Sequence, residues 1–129
     1  MQTLDQQVAK ASHVAIKKYF NSNGKGVSSE KRGYIKSAAT MLRVSGLGVT
    51  VAFCLKKDRK EVAEALADTL KNLPGIKNGN TTITNAESIL VYYQNIGIAE
   101  LRHISSLAEQ SFEWLSKWAD TYKEDIKDA

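Results

Sequence analysis

Apolar residues recur at three- and four-residue steps along most of the chain, a spacing that places them on one face of an α-helix. The first such segment follows Thr3 and Gln6, whose spacing forms a capping box and predicts the start of a helix. Its apolar face contains Leu4, Val8, Ala11, Ala15 and Tyr19. The opposite face is polar and includes His13, which we expect to be solvated.

A second helix is predicted after residues 21–29, whose Gly, Asn and Ser residues are typical of a loop. Ser28 or Ser29 can cap this helix. Gly46 can close it, because glycine tolerates the left-handed conformation that ends many helices. The apolar positions of this helix include Tyr34, Ala38, Met41 and Leu42.

Residues 49–55 form an apolar, β-branched run that can be either a buried strand or a buried helix. The helical patterns on both sides favour a helix. After it, Asp58 and Glu61 form a second capping box, which predicts a helix that stops at Pro74 and Gly75.

The last part of the sequence, from residue 76 onward, predicts a loop or small hairpin followed by two more helices. The dipeptide Asn78-Gly79 is a strong turn signal within residues 76–83. Thr84 and Glu87 form a third capping box. An unbroken helix over residues 84–125 would be about 60 Å long, so Gly97 is the expected break. Apolar positions of the last helix include Leu101, Ile104, Leu107, Ala108, Leu115 and Trp118.

These patterns predict an all-α fold, a single-domain helical bundle of about five to six helices that spans residues 1–129. The hydrophobic share of 43% and the charged share of 25% are typical of a soluble globular chain. No apolar run reaches the roughly 20 residues that a membrane span needs, and the first residues lack the apolar region of a secretory signal. We therefore expect a cytoplasmic protein without a membrane partner.

Charge divides the sequence into a basic half and an acidic half. Residues 1–77 contain 14 Lys and Arg against 6 Asp and Glu, whereas residues 78–129 contain 4 against 8. A basic half suits a polyanion, and an acidic tail suits a basic partner.

The residue inventory argues against an enzyme. His13, His103 and Cys54 are the candidates for a base and a nucleophile, and no glycine elbow or acidic metal cluster accompanies them. Gly46-Leu47-Gly48 lacks the Lys-Ser/Thr of a nucleotide-binding loop. We expect no catalytic residue, no metal, no cofactor and no small-molecule substrate.

A helix-turn-helix regulator that binds DNA is an alternative, because two helices meet at residues 45–47. A recognition helix presents Arg, Lys, Asn or Gln to base edges, and residues 48–54 offer only Thr50. A helical adaptor without nucleic acid contact is a second alternative.

Three segments carry a resemblance to a known family. Residues 41–53, MLRVSGLGVTVAF, resemble the core motif of the small helical subunit of the Cmr complex, the type III-B (RAMP module) CRISPR effector. Residues 4–9, LDQQVA, and residues 114–119, WLSKWA, are similar to its N- and C-terminal signatures. Ala39 stands where the family usually has proline, which predicts a straighter second helix.

The resemblance implies a non-catalytic subunit that stacks in several copies along the effector filament. Its implied partners are other Cmr subunits, copies of itself, guide RNA and target RNA. Lys and Arg without base-reading neighbours contact phosphates, so we expect binding to the RNA backbone. The strongest candidates for these contacts are Arg43, Lys56, Lys57, Arg59 and Lys60. Lys10 and Lys17 are second, and Lys31, Arg32 and Lys36 are third.

Overall fold

The computed structural model describes residues 2–21, 24–56, 58–74, 77–78 and 81–123. This part of the chain forms an all-α bundle, which confirms the predicted fold class. Its helices are α1 (Leu4–Tyr19), α2 (Ser29–Ser45), α3 (Leu47–Lys56), α4 (Lys60–Lys71), α5 (Ala86–Gln94) and α6 (Ile98–Thr121). None of the helices in the described residues combines the length and apolar character needed to cross a membrane.

A small β-hairpin, with two residues in each strand, lies between α4 and α5. Its strands are β1 (Lys77–Asn78) and β2 (Thr81–Thr82), which pair antiparallel with Lys77 opposite Thr82 and Asn78 opposite Thr81. The predicted small hairpin is therefore confirmed in its strands, while Gly79, the second residue of the turn signal, lies outside the described residues.

The core forms where α6 packs against α1 and α2, and α4 packs against α1, α3 and α5. α4 contributes a continuous buried run from Ala65 to Leu70. The acidic half of the sequence thus packs directly against the basic half. Asp120 on α6, for example, accepts from Lys36 on α2 at 3.0 Å.

Local signals predicted four helix boundaries correctly. Thr3 and Gln6 form the capping box of α1, and the Ser28 side chain caps α2. α6 begins after Gly97. Gly46 ends α2 with a φ of 90°, but its ψ of 171° places it in an extended conformation that is almost specific to glycine, rather than in the left-handed helical one.

The capping boxes predicted at Asp58 and Thr84 are wrong. Arg59 is the residue before α4, and it makes no side-chain capping bond. Glu61 forms an ion pair with Lys31 on α2 instead. α5 starts one residue later than predicted, because Asn85 caps it in place of Thr84. The Asn85 side-chain oxygen accepts from the Ser88 backbone N–H at 2.9 Å, and the Ser88 hydroxyl oxygen accepts from the Asn85 backbone N–H at 3.0 Å. In both cases another ion-pair or hydrogen-bond partner replaces the capping bond that the residue spacing predicts.

His13 is half-buried, so the prediction of a solvated histidine is also wrong. Its ring stacks on Trp118 with the centroids 4.1 Å apart, and its Nε2 lies 2.6 Å from the Tyr122 hydroxyl oxygen. Burial, and then the charge of Lys17, lower the pKa of His13. The polar face of α1 therefore contacts α6 through an aromatic stack.

Candidate nucleic-acid interface

The Arg59 guanidinium lies against two aromatic rings at the corner where α2, α3 and α4 meet. Its central carbon is 4.4 Å from the centroid of Tyr34 on α2 and 5.1 Å from that of Phe53 on α3. Arginine stacked in this way keeps its N–H donors available at its edge. The site therefore holds one guanidinium in a fixed position at the surface.

Two lysines flank this guanidinium because α3 ends at Lys56 and α4 begins at Lys60. Both side chains are exposed, and neither has a carboxylate within ion-pair distance among the described residues. We call Lys56, Arg59 and Lys60 the corner cluster. Asp58 is exposed in the same connection, and Lys57 lies outside the described residues.

Besides Asp58, two acidic residues border the corner cluster, and each of these two already has a partner. The Tyr34 hydroxyl donates to Glu30 at 3.0 Å, which raises the pKa of that hydroxyl. Lys31 donates to Glu61 at 2.6 Å, which raises the pKa of Lys31. Lys31 is therefore close to the corner cluster, but its charge is largely balanced within the protein.

The other third-choice residues are also engaged within the fold. Arg32 donates to the carbonyl oxygen of Val27 at 3.0 Å and lies 3.8 Å from Asp120. Lys36 forms an ion pair with the same carboxylate. Cations paired in this way are less suited to phosphates than those of the corner cluster.

Arg43 is exposed on a different side of α2. Nine residues separate it from Tyr34, which at about 100° per residue places the two on opposite faces of the helix. Arg43 borders a cavity of about 340 Å³ between α2 and α6. We call this cavity the α2–α6 groove, and it is lined by Lys36, Ala39, Thr40, Arg43, Phe112, Glu113, Ser116 and Lys117. The structure thus separates Arg43 from the residues it was grouped with.

Lys10 and Lys17, the second-choice residues, are exposed on α1. The Lys17 ammonium lies 5.9 Å from the centroid of Tyr122. Lys10 borders a shallow depression with Val14 and Asn72. They belong to the α1 surface, apart from the α2–α3–α4 corner.

Side chains for metal or thiol chemistry are not assembled in the described residues. No group of three His, Cys, Asp or Glu residues there has the geometry of a metal site. Cys54 is buried, and burial raises the pKa of its thiol. Such a thiol is held in its unreactive protonated form.

Sequence reasoning missed the aromatic partners of Arg59. Tyr34 was assigned only to the core face of α2, and Phe53 only to an apolar run. Their positions beside a basic cluster were a usable signal, since arginine often packs on aromatic rings. Lys117 lines the α2–α6 groove only because α2 and α6 pack together, and no local pattern in the sequence indicates this position.

Comparison with known proteins identifies the family. Residues 4–122 match the model of the family described as CRISPR-associated protein (Cas_Cmr5). The chain belongs to the Cmr5 family. The resemblance noted in its sequence is therefore confirmed, and membership supports a small CRISPR type III-B subunit whose partners include other Cmr subunits.

The fold agrees with that of a solved Cmr5 family structure. The crystal structure of a CRISPR-associated Cmr5 family protein from Thermus thermophilus matches with a TM-score of 0.75 and 16% sequence identity. The match covers 95% of this chain and 100% of the other. At this identity the similarity establishes the fold. Comparison with curated proteins by sequence gives no match.

Proposed function

We propose that the chain is a non-catalytic small subunit of a type III-B CRISPR effector and contacts the RNA backbone of the guide/target channel through the corner cluster. The observation that carries this proposal is the guanidinium of Arg59, held between Tyr34 and Phe53 and flanked by Lys56 and Lys60. Family membership supports the assembly, and the free cations support the RNA contact.

The chemistry of the corner favours phosphates over bases. Arg and Lys are the usual contacts to phosphate oxygens and can also bond guanine, whereas adenine recognition typically uses Asn or Gln. The residues of the corner cluster and its aromatic supports include no Asn or Gln. A fixed guanidinium loses little conformational entropy when it binds a phosphate.

Stacking along a filament requires a surface that fits a neighbouring copy or subunit. Val44 and Val49, at the junction of α2 and α3, are 79% and 56% exposed. A Cβ atom at Gly48 would lie 2.8 Å from Cε2 of Tyr93, so α5 meets this junction, and Ile98 is 71% exposed at the start of α6. These exposed apolar side chains support a packing role in the assembly.

The DNA-binding alternative is weakened by the surface of α3. Thr50, the only polar candidate for base contact in this segment, is buried and donates to the Gly46 carbonyl oxygen at 2.8 Å. Val49 and Ala52 are exposed in its place. Lys56, at the last residue of α3, is its one exposed base-reading side chain, whereas a recognition helix contacts bases mainly through its N-terminal residues.

Binding of the purified subunit to random-sequence RNA across a salt series tests the proposal. Phosphate contacts predict a log–log slope of about −0.7 per neutralised phosphate on single strands, with little sequence preference. A flat response would contradict RNA-backbone binding and favour the adaptor. Strong preference for one duplex DNA sequence would favour the regulator.

A further inference from the structure

The α2–α6 groove is a second charged site, separate from the corner cluster. Lys36, Arg43 and Lys117 line it from the two helices, and Thr40 and Ser116 add hydroxyl groups. Because Arg43 and Tyr34 project from opposite faces of α2, a strand that follows the corner cluster does not run through this groove.

The charges in the groove are balanced except at one residue. Lys36 pairs with Asp120 at 3.0 Å, and Lys117 pairs with Glu113 at 3.5 Å. Arg43 is exposed, and in the part of the chain that the structure describes it has no carboxylate within ion-pair distance. The groove thus offers one unpaired guanidinium, whose fork geometry fits a carboxylate or a phosphate in a bidentate manner.

Apolar side chains lie close to this guanidinium. Phe112 and Ala39 form part of the groove, and a neighbouring depression that shares Lys36 and Thr40 with it is also lined by Met41 and Val44. Val44 is 79% exposed, so its apolar surface is open to a partner. A surface that mixes one unpaired cation with apolar side chains suits a polypeptide.

We propose that the α2–α6 groove docks an acidic, partly apolar polypeptide segment of a neighbouring subunit, with a carboxylate of that segment on Arg43. An RNA backbone fits less well, because it would bring a phosphate at every nucleotide towards the carboxylates of Glu113 and Asp120, whereas the polypeptide segment needs only the one carboxylate that pairs with Arg43. The inference rests on the proposed function in one respect: the partner is a subunit of the same assembly.

Charge reversal tests the role of Arg43. In a reconstituted effector complex we expect Arg43→Glu to reduce incorporation of the subunit at least tenfold, measured by native mass spectrometry. The matched control is Arg102→Glu, which changes an exposed arginine on α6 and leaves incorporation unchanged. Normal incorporation of Arg43→Glu with weakened target RNA binding would identify RNA as the ligand and overturn the proposal. Normal incorporation with normal RNA binding would overturn it too.

Failure of the RNA proposal is distinguishable from failure of this one. Lys56→Gln/Lys60→Gln alters the corner cluster, so we expect it to incorporate normally whatever its effect on RNA. Circular dichroism of each free variant checks the fold, which an exposed substitution such as Arg43→Glu leaves intact.

Site-directed cross-linking identifies the occupant directly. The single native cysteine, Cys54, is buried, so a benzophenone maleimide reacts selectively with an added thiol at Thr40→Cys, an exposed position in the groove. After irradiation of the assembled complex, we expect the cross-linked peptide to contain an Asp or Glu beside apolar residues. A basic peptide, or no protein cross-link in a complex that has assembled, would contradict the proposal.

Discussion

The guanidinium carbon of Arg59 lies 4.4 Å from the centroid of the Tyr34 ring. This contact joins the residue before α4 to the second turn of α2, and Phe53 extends it to α3. Three helices therefore determine where one positive charge is held. Contacts of this type contribute about 0.5–1 kcal/mol at exposed sites.

Removing the Tyr34 ring should weaken RNA binding through Arg59. We expect Tyr34→Leu to lower affinity for single-stranded RNA by about two- to fivefold, the equivalent of about 0.5–1 kcal/mol, because Arg59 loses the closer of its two aromatic partners. Tyr34→Phe keeps the ring and removes only the bond to Glu30, so it should bind like the original chain. Fluorescence anisotropy measures both. Equal affinities for the Leu and Phe variants would show that the ring does not position the arginine.

Gly33, inside α2, and Gly46, directly after it, should respond to alanine with opposite signs. Gly46 has a φ of 90° that an L side chain rarely adopts, so Gly46→Ala should reduce the free energy of unfolding by about 1–3 kcal/mol. Gly33 lies inside α2 with open space around it, so Gly33→Ala should increase that free energy by about 0.5–1 kcal/mol. Urea denaturation measures both, and destabilisation of the two variants to the same extent would refute the assignment of the junction.

The stability of the fold should fall as pH decreases through the titration of His13. Burial lowers the folded-state pKa of His13 below its ordinary value of 6.5. The unfolded chain then binds a proton more readily than the folded chain, so the stabilisation is complete above about pH 6.5 and is lost as pH falls towards the folded pKa. Denaturant unfolding at pH values from 7.5 to 5 measures this loss.

The matched control for this titration is His13→Gln. Glutamine can still bond to Tyr122 but has no proton to gain in this range, so the stability of the variant should change less with pH. His103 is exposed on α6 and remains in both proteins. An identical pH dependence in the two proteins would assign the effect to other groups.

The helices and their order follow from the sequence, because apolar periodicity and glycine positions are local properties. Thr3, Ser28 and Gly97 each act within one turn of chain, and each was predicted correctly. The capping boxes at Asp58 and Thr84 failed because other groups compete for the same bonds: Glu61 pairs with Lys31 on another helix, and Asn85 caps α5 in place of Thr84.

The candidate site was predictable only in part. Lys56, Arg59 and Lys60 are close in sequence, so their proximity in space could be expected. The position of Arg43 beside α6 depends on how two distant helices pack. The stacking of His13 on Trp118 joins residues 105 positions apart, and no pattern within α1 indicates it.

The most direct test of RNA-backbone binding is the affinity of the assembled complex for target RNA when its subunit carries Lys56→Gln/Lys60→Gln. The control is Lys18→Gln/Arg102→Gln, which removes the same charge outside both the corner cluster and the α2–α6 groove, since Lys18 already pairs with Asp68 and Arg102 is exposed on α6. We predict weaker binding for the corner variant alone, with a log–log salt slope less steep by about 1.4 for each copy of the subunit on the RNA, or about 0.7 for each lost phosphate contact. Equal affinities and equal slopes for the two variants would contradict the account.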